Sequence, residues 1–458
     1  MQQCAVAADW GTRLKIDELN DAVSRIADDA EHDRPDAAWS RVEALLPLLA
    51  HNESVALALV RVVWSGYLSI ERSLAVLALV HEAYPRNGRV LSGLGRALDE
   101  ARDVDFLNDA PPEHPVFENV VKALTELLKT AAGTEEETEL LEGLATAARM
   151  MARQHDDIVD RCEKRLIELY PRDSDRHYNY GLFLKTRGRF REGLMANRKS
   201  AELRSEPNEA CEWNLGICAT GAGEGAVALE VWKRMQQKIE MGRFGLPDGR
   251  YPQCKVRLAE RPLAERSVET DDPGLEETIW IERLSPCHGI IRSVLYYDLG
   301  INYGDVVLID GAPITYHKYG EEDVPVFPHL ATLHRQHYRL FNFAGTQESA
   351  GQISNASVDL ERDAVVYSHS ESFHQVCAKC WLDSTIDHNH DEKLDKHVVT
   401  GRIAAPADLE PGQLLQQLDR AMSKREPCRI YVPDLCEAAG LKERGAIERR
   451  RYRMIAGR

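Results

Sequence analysis

The chain has 458 residues, enough for about three domains of roughly 100–200 residues each. Its 57 Lys and Arg stand against 74 Asp and Glu, a formal charge of −17, with 43% hydrophobic and 29% charged residues. That apolar content can bury a core, which excludes a wholly disordered chain. The acidic excess excludes general nucleic-acid binding, which needs a basic face to neutralise phosphates.

The opening segment, MQQCAVAADWGTRLKIDELND, has no basic stretch followed by an apolar run, so no secretion signal is expected. The longest apolar stretch, Val55 to Trp64, is interrupted by Arg61 and is too short to cross a bilayer. The ten cysteines are therefore expected as thiols or metal ligands in a reducing cytoplasm.

From about Pro35 to Met241 apolar residues recur every three or four positions, the spacing of amphipathic helices. Ala38–Leu49, Ser54–Trp64, Ile70–Ala83 and Glu137–Met151 show it most clearly. Tyr84-Pro85-Arg86-Asn87-Gly88, Asp109-Ala110-Pro111-Pro112 and Tyr170-Pro171-Arg172-Asp173 separate the helices, because a proline cannot continue the hydrogen-bond ladder.

Within Arg176–Met235 the pattern repeats. Gly181 and Gly216 lie 35 residues apart, and Gly188 and Gly223 keep the same interval. Asn179-Tyr180-Gly181 and Trp213-Asn214-Leu215-Gly216 flank the first pair, with Phe190 in one unit and Ala228 and Trp232 in the other. This resembles the tetratricopeptide (TPR) repeat, a helix–turn–helix unit of about 34 residues. Gly181 and Gly216 are expected to let paired helices approach closely. Gly188 and Gly223 are expected to end the first helix of each unit in a left-handed conformation. Gly193 stands where the family favours alanine, and Asn197 replaces an expected aromatic. Tyr84-Pro85 and Tyr170-Pro171 resemble the end of the same unit.

The resemblance implies a concave groove that takes a protein or peptide partner. Asn179 and Asn214, two residues before the repeat glycines, are the candidate groove residues, with consensus packing as the alternative. Lys185, Arg187 and Arg189 cluster nearby. They either attract an acidic partner, Lys185 being the candidate contact, or form a solvated charged face.

The helical pattern stops near Gly242. Residues 242–276 hold Gly245, Pro247, Gly249, Pro252, Pro262, Pro273 and Gly274 and read as a packed, extended linker. The division is therefore 1–241 helical, 242–276 linker and 277–458 β-rich. After Glu277 the expected strands are Thr278–Glu282, Ile290–Tyr297, Asp305–Gly311, Tyr338–Phe343, Ala364–His369, Gln375–Ala378, Val398–Ala404 and Arg429–Val432. Helices are expected at Gly412–Ser423 and Glu437–Met454. The fold class is α+β multidomain: an N-terminal α-helical TPR-like array, then a β-rich α+β domain.

Ten of the sixteen histidines fall between His288 and His397. Cys377 and Cys380 form a Cys-x-x-Cys knuckle, followed by His388 and His390, a set that suits tetrahedral zinc. Only seven residues separate Cys380 from His388, shorter than a usual finger, so ligands from Cys287 and His288, or His369 and His374, stay open. A catalytic metal or a metal-free loop are the alternatives. Cys287 is also a candidate nucleophile with His369 or His374 as base, set against a cysteine packed under the β-layer. His334 and His337 share a face if Leu330–His337 is helical. No common nucleotide-binding or hydrolase motif appears.

Lys442–Arg458 carries seven Lys or Arg against two Glu. It is expected to dock on the chain's own acidic surface rather than on nucleic acid. The leading expectation is a cytoplasmic TPR-type adaptor with a zinc-stabilised C-terminal domain and no membrane segment. The alternative is a metal- or thiol-dependent enzyme that uses the array for targeting.

Overall fold

The computed structural model describes residues 16–102, 112–270, 272–377, 389 and 393–457. The helical spacing yields α1 (Ile16–Glu31), α2 (Pro35–Leu45), α3 (Glu53–Trp64), α4 (Ile70–Ala83), α5 (Gly88–Ala97) and α6 (Val116–Ala131). These continue as α7 (Glu137–Arg149), α8 (Asp156–Leu169), α9 (Ser174–Thr186), α10 (Phe190–Leu203), α11 (Glu209–Gly221) and α12 (Gly225–Arg234). Capping fixes where they start. The side chains of Asn52, Asn87 and Asp173 accept from the amides of Ser54, Val90 and Asp175, satisfying donors that the first turn leaves open.

The two Tyr-Pro segments have one job. The amides of Tyr84 and Tyr170 bond back to Val80 and Leu166, closing α4 and α8, and three residues later Asn87 and Asp173 cap the next helix. The helices bury Leu59, Leu77, Leu94, Leu124 and Leu144 completely or nearly so, each contributing about 1.5–3 kcal/mol. At the crossing of α5 and α7 a Cβ on Gly95 would lie 2.3 Å from the Gly143 carbonyl oxygen, so only glycine permits that approach.

The described chain divides into two compact units. One comprises residues up to Leu215 with 266–273; the other comprises 216–265 with 274–458. The division falls inside α11, so the end of α11 and all of α12 belong with the β-rich part.

In that second unit β1 (Ile239–Met241) and β2 (Pro247–Gly249) form a ribbon. Next come β3 (Cys254–Ala259), β4 (Glu276–Arg283), β5 (His288–Ile291), β6 (Val306–Ile309), β7 (Thr315–Tyr319) and β8 (Glu322–His334). Strands β3, β4, β5, β6 and β8 follow one another around a closed barrel. A parallel pairing of β3 with β8, Lys255 to Val326 through Arg257 to Pro328, makes the closure. Val256, Leu258, Ile279, Ile281, Val307 and Ile309 alternate along their strands and fill the interior. Closure leaves no open edge between β3 and β8.

The last layer is an antiparallel sheet in the order β10 (Val365–Cys377), β11 (Lys393–Ala405), β9 (Arg339–Gln347), β12 (Arg429–Tyr431). On one face Phe341, Phe343, Val399 and Ile403 pack against Leu414 and Leu418 of α13 (Pro411–Ser423). On the other, Ala344, Val398 and Tyr431 pack against Ile455 of α15 (Lys442–Ala456). The short α14 (Pro433–Ala438) lies between β12 and α15 in the chain. The architecture is thus an N-terminal helical array followed by a β-rich α+β part.

Several local expectations are corrected. The strand expected over Ile290–Tyr297 ends at Ile291, because the Glu277 carboxylate gathers the amides of Tyr296 and Tyr297 into a loop. The strand expected over Asp305–Gly311 spans only Val306–Ile309, and it pairs with β5 and β8, not with the following β7. Leu330–His334 is strand rather than helix, so His334 and His337 share no helical face. The helix expected over Glu437–Met454 is broken at Gly440, whose φ of 80° suits glycine. No described helix is long and apolar enough to cross a membrane.

Candidate functional site

The helix pairs α9–α10 and α11–α12 repeat one construction. Gly188 and Gly223 take φ of 71° and 74°. The amides that follow bond back in the same way, Arg189 to the Leu184 carbonyl and Glu224 to the Ala219 carbonyl, which closes each first helix. The close approach repeats as well. A Cβ on Gly181 would fall 2.4 Å from the Asn197 side chain, and one on Gly216 would fall 2.4 Å from the Trp232 ring. Each glycine faces a residue sixteen positions on, so Asn197 occupies the place of Trp232 in the earlier unit.

Of the candidate groove residues, Asn179 lies half-buried on α9. Asn214, its equivalent on α11, is 5% exposed and accepts from Lys185 Nζ at 2.8 Å; Lys185 is 3% exposed. This buried bond ties α9 to α11, the first helices of successive pairs. One residue before each asparagine stands an aromatic, Tyr178 and Trp213, and both stay half-buried. The 35-residue offset marks this aromatic pair, but composition alone does not single it out.

The other two cations of the cluster also work inside the array. Arg187 Nε donates to both Asp156 oxygens at 3.1 and 2.9 Å, and Arg189 Nη1 donates to Asp160 at 2.6 Å. Asp160 also accepts from Tyr180 Oη at 2.8 Å and Lys164 Nζ at 2.6 Å. Burial opposes its charge, but the hydrogen bonds from Lys164, Arg189 and Tyr180 prevail and hold the carboxyl at about 2. These bonds join α8 to α9 and α10. They are neither a solvated face nor a patch left for an acidic partner.

In the β-rich part Cys287 is fully buried beneath the barrel, as the packed-cysteine reading anticipates. Burial pushes its thiol up to about 11, against the thiolate that nucleophilic chemistry requires. Its Sγ meets Thr220 Oγ1 at 3.4 Å, and His288 turns its Nδ1 to Ser285 Oγ at 2.5 Å rather than to the sulfur. His369, the candidate base, bonds the Val294 carbonyl through Nε2 at 2.6 Å.

Cys377 is the last residue of β10 and its backbone pairs with Lys393. The remaining candidate zinc ligands, Cys380, His388 and His390, lie outside the described residues, as do the side chains of Cys377 and His374. Among the described residues no three His, Cys, Asp or Glu side chains gather as metal ligands.

The basic C-terminal helix docks on its own unit. Arg444 pairs with Asp419 and Glu448, Arg449 with Asp434 and Glu437, and Arg451 lies over the Tyr431 ring at 5.5 Å.

No protein-family model matches the chain, and no curated protein matches it. Among solved structures, the MamA protein aligns at 17% identity over 36% of this chain and 80% of its own, with a TM-score of 0.28. PilF of Pseudomonas aeruginosa aligns at 14% identity over 48% and 92%, with a TM-score of 0.32. PilW, a type IV pilus biogenesis factor, aligns at 10% identity over 48% and 92%, with a TM-score of 0.35. Likenesses at this level leave the functional reading to the chain's own residues.

Proposed function

We propose that the protein is an adaptor whose helical array binds a protein or peptide partner. The observation that carries this reading is the repetition, 35 residues apart, of an aromatic–asparagine pair, Tyr178-Asn179 and Trp213-Asn214, on successive first helices. Stacked helix pairs present such repeated positions as one continuous surface. Half-buried aromatics are efficient anchors there, because they offer large contact area with few rotatable bonds. In this reading Asn179 contacts the partner backbone, and the Lys185–Asn214 bond sets the spacing of the surface. Immobilised full chain should capture a partner from lysate of the native cell. A Tyr178→Ala, Asn179→Arg variant with unchanged melting temperature should lose it. Retention of every captured protein by the variant would reject the reading.

The adaptor's second half is proposed to hold one zinc through Cys377, Cys380, His388 and His390. Support comes from the ligand types and spacing, with the backbone of Cys377 paired to Lys393 at the end of β10. Elemental analysis of untagged protein should give about one zinc per chain, lost in Cys377→Ser/Cys380→Ser. Metal-free wild type would remove zinc from the proposal.

A further inference from the structure

The β-rich part carries a cavity that neither proposal uses. It measures about 230 Å³ and opens between α15, the loop after β5 and the face of β9, β10 and β11 turned toward that helix. Tyr296, Asn342, His369, Thr400, Arg402 and Tyr452 line it, with no carboxylate among them. Sites for drug-sized molecules measure about 300–1,000 Å³, so an occupant here is small.

The lining is fixed in place. Arg402 donates from Nε to Asn342 Oδ1 at 3.3 Å and from Nη1 to the Leu295 carbonyl at 3.0 Å. It makes no ion pair among the described residues and stands half-buried, while the Glu277 carboxylate nearby is taken up by the Tyr296 and Tyr297 amides. A guanidinium in that state favours a carboxylate or phosphate, whose paired oxygens match its fork. His369 donates through Nε2 to the Val294 carbonyl, and burial lowers its pKa, so the ring is neutral near pH 7 and Nδ1 accepts. The Tyr296 ring meets the His369 ring edge-on at 5.6 Å and is 52% exposed, an aromatic wall open to a ligand. Its backbone is anchored by Glu277, which accepts from the Tyr296 and Tyr297 amides at 2.9 and 3.0 Å.

We propose that this cavity binds a small anion built on a flat ring that bears one carboxylate or phosphate. The anionic group sits on the Arg402 and Thr400 side, the ring lies against Tyr296, and a ring hydroxyl or N–H donates to His369 Nδ1. The chemistry is common to aromatic acids and to phosphate monoesters of ring compounds.

Calorimetric titration of the full chain with 4-hydroxybenzoate, 4-hydroxyphenyl phosphate and inorganic phosphate tests it. At least one of the two ring-bearing anions should bind saturably, one per chain, and the tighter of them identifies the anionic group. Arg402→Met should weaken that binding tenfold or more, and Tyr296→Ala several-fold. Inorganic phosphate should bind at least tenfold more weakly than the tighter ring-bearing ion. The proposal is overturned if neither ring-bearing anion binds at millimolar concentration, or if inorganic phosphate binds equally well. It is also overturned if folded Arg402→Met keeps wild-type affinity. Should Arg402→Met not fold, the exposed Tyr296→Ala and the conservative Thr400→Val carry the test, and wild-type affinity in both rejects it.

Discussion

The two helix pairs α9–α10 and α11–α12 share a backbone plan and differ in what fills it. Under Gly181 sits Asn197, buried, donating from Nδ2 to the Gly193 carbonyl at 2.8 Å. Under Gly216 sits Trp232, one of the largest fully buried side chains. The difference extends to the surroundings. The earlier pair is bound to α8 by charged hydrogen bonds through Asp156 and Asp160. The later pair ends against a barrel whose neighbouring polar groups, Thr220, Ser285, Cys287 and His288, are uncharged and sealed from water. One repeat geometry therefore tolerates a polar or an apolar filling, according to what the next layer offers.

Removing the filling should show the contrast most strongly. Trp232→Ala deletes a whole ring system from a closed site and should cost about 3–5 kcal/mol. Asn197→Ala loses a smaller volume and a neutral hydrogen bond, and should cost about 1–2 kcal/mol. Urea unfolding followed by circular dichroism checks both. Equal midpoints for the two variants would mean that the shared backbone plan, not its filling, sets the stability of the pairs.

The same contrast explains what the sequence reveals. Helices were legible because their information is local: the three-to-four spacing, the Tyr-Pro stops and the 35-residue glycine interval all lie within one or two turns or one repeat. The barrel was not, because its closure joins Val256 to Phe327 across about seventy intervening residues and leaves no local mark. Strands themselves were visible in Thr278–Glu282 and Val398–Ala404, but not their neighbours. Ala364–His369 and Gln375–Ala378 read as two strands because a bulge between Ser368 and Ser370 breaks the alternation; β10 runs unbroken from Val365 to Cys377, and Ala378 lies outside the described residues. At the candidate site, repetition pointed to Asn179 and Asn214. The Lys185–Asn214 bond was hidden, since pairing a lysine with an asparagine 29 residues away follows from helix stacking alone. The cavity residues come from three strands, a helix and a loop and share no sequence signal.

Acid should separate the two regions in a defined order. His288 is buried, and burial lowers its pKa from 6.5 to about 4. Between those values the unfolded chain binds the proton that the folded chain refuses, so stability rises with pH across that window and is lost as pH falls through it. The full loss is on the order of 3 kcal/mol. It should appear as a falling melting temperature between pH 6.5 and 4, and His288→Phe should flatten that slope. Asp160 behaves oppositely in origin but not in direction. Its pKa is depressed from 3.8 to about 2, so its contribution is complete above pH 3.8 and disappears as pH drops toward 2. With a fifth of the side chain exposed, that contribution is about 1–2 kcal/mol. Asp160→Asn should therefore lower the melting temperature at pH 7 and converge on wild type only as pH approaches 2. His288→Phe should instead hold its neutral-pH stability down to about pH 4.5, while wild type falls. If both variants depart from wild type over the same pH range, the division between a charge-bonded array and a neutral, sealed barrel fails, because one acid transition would then govern both.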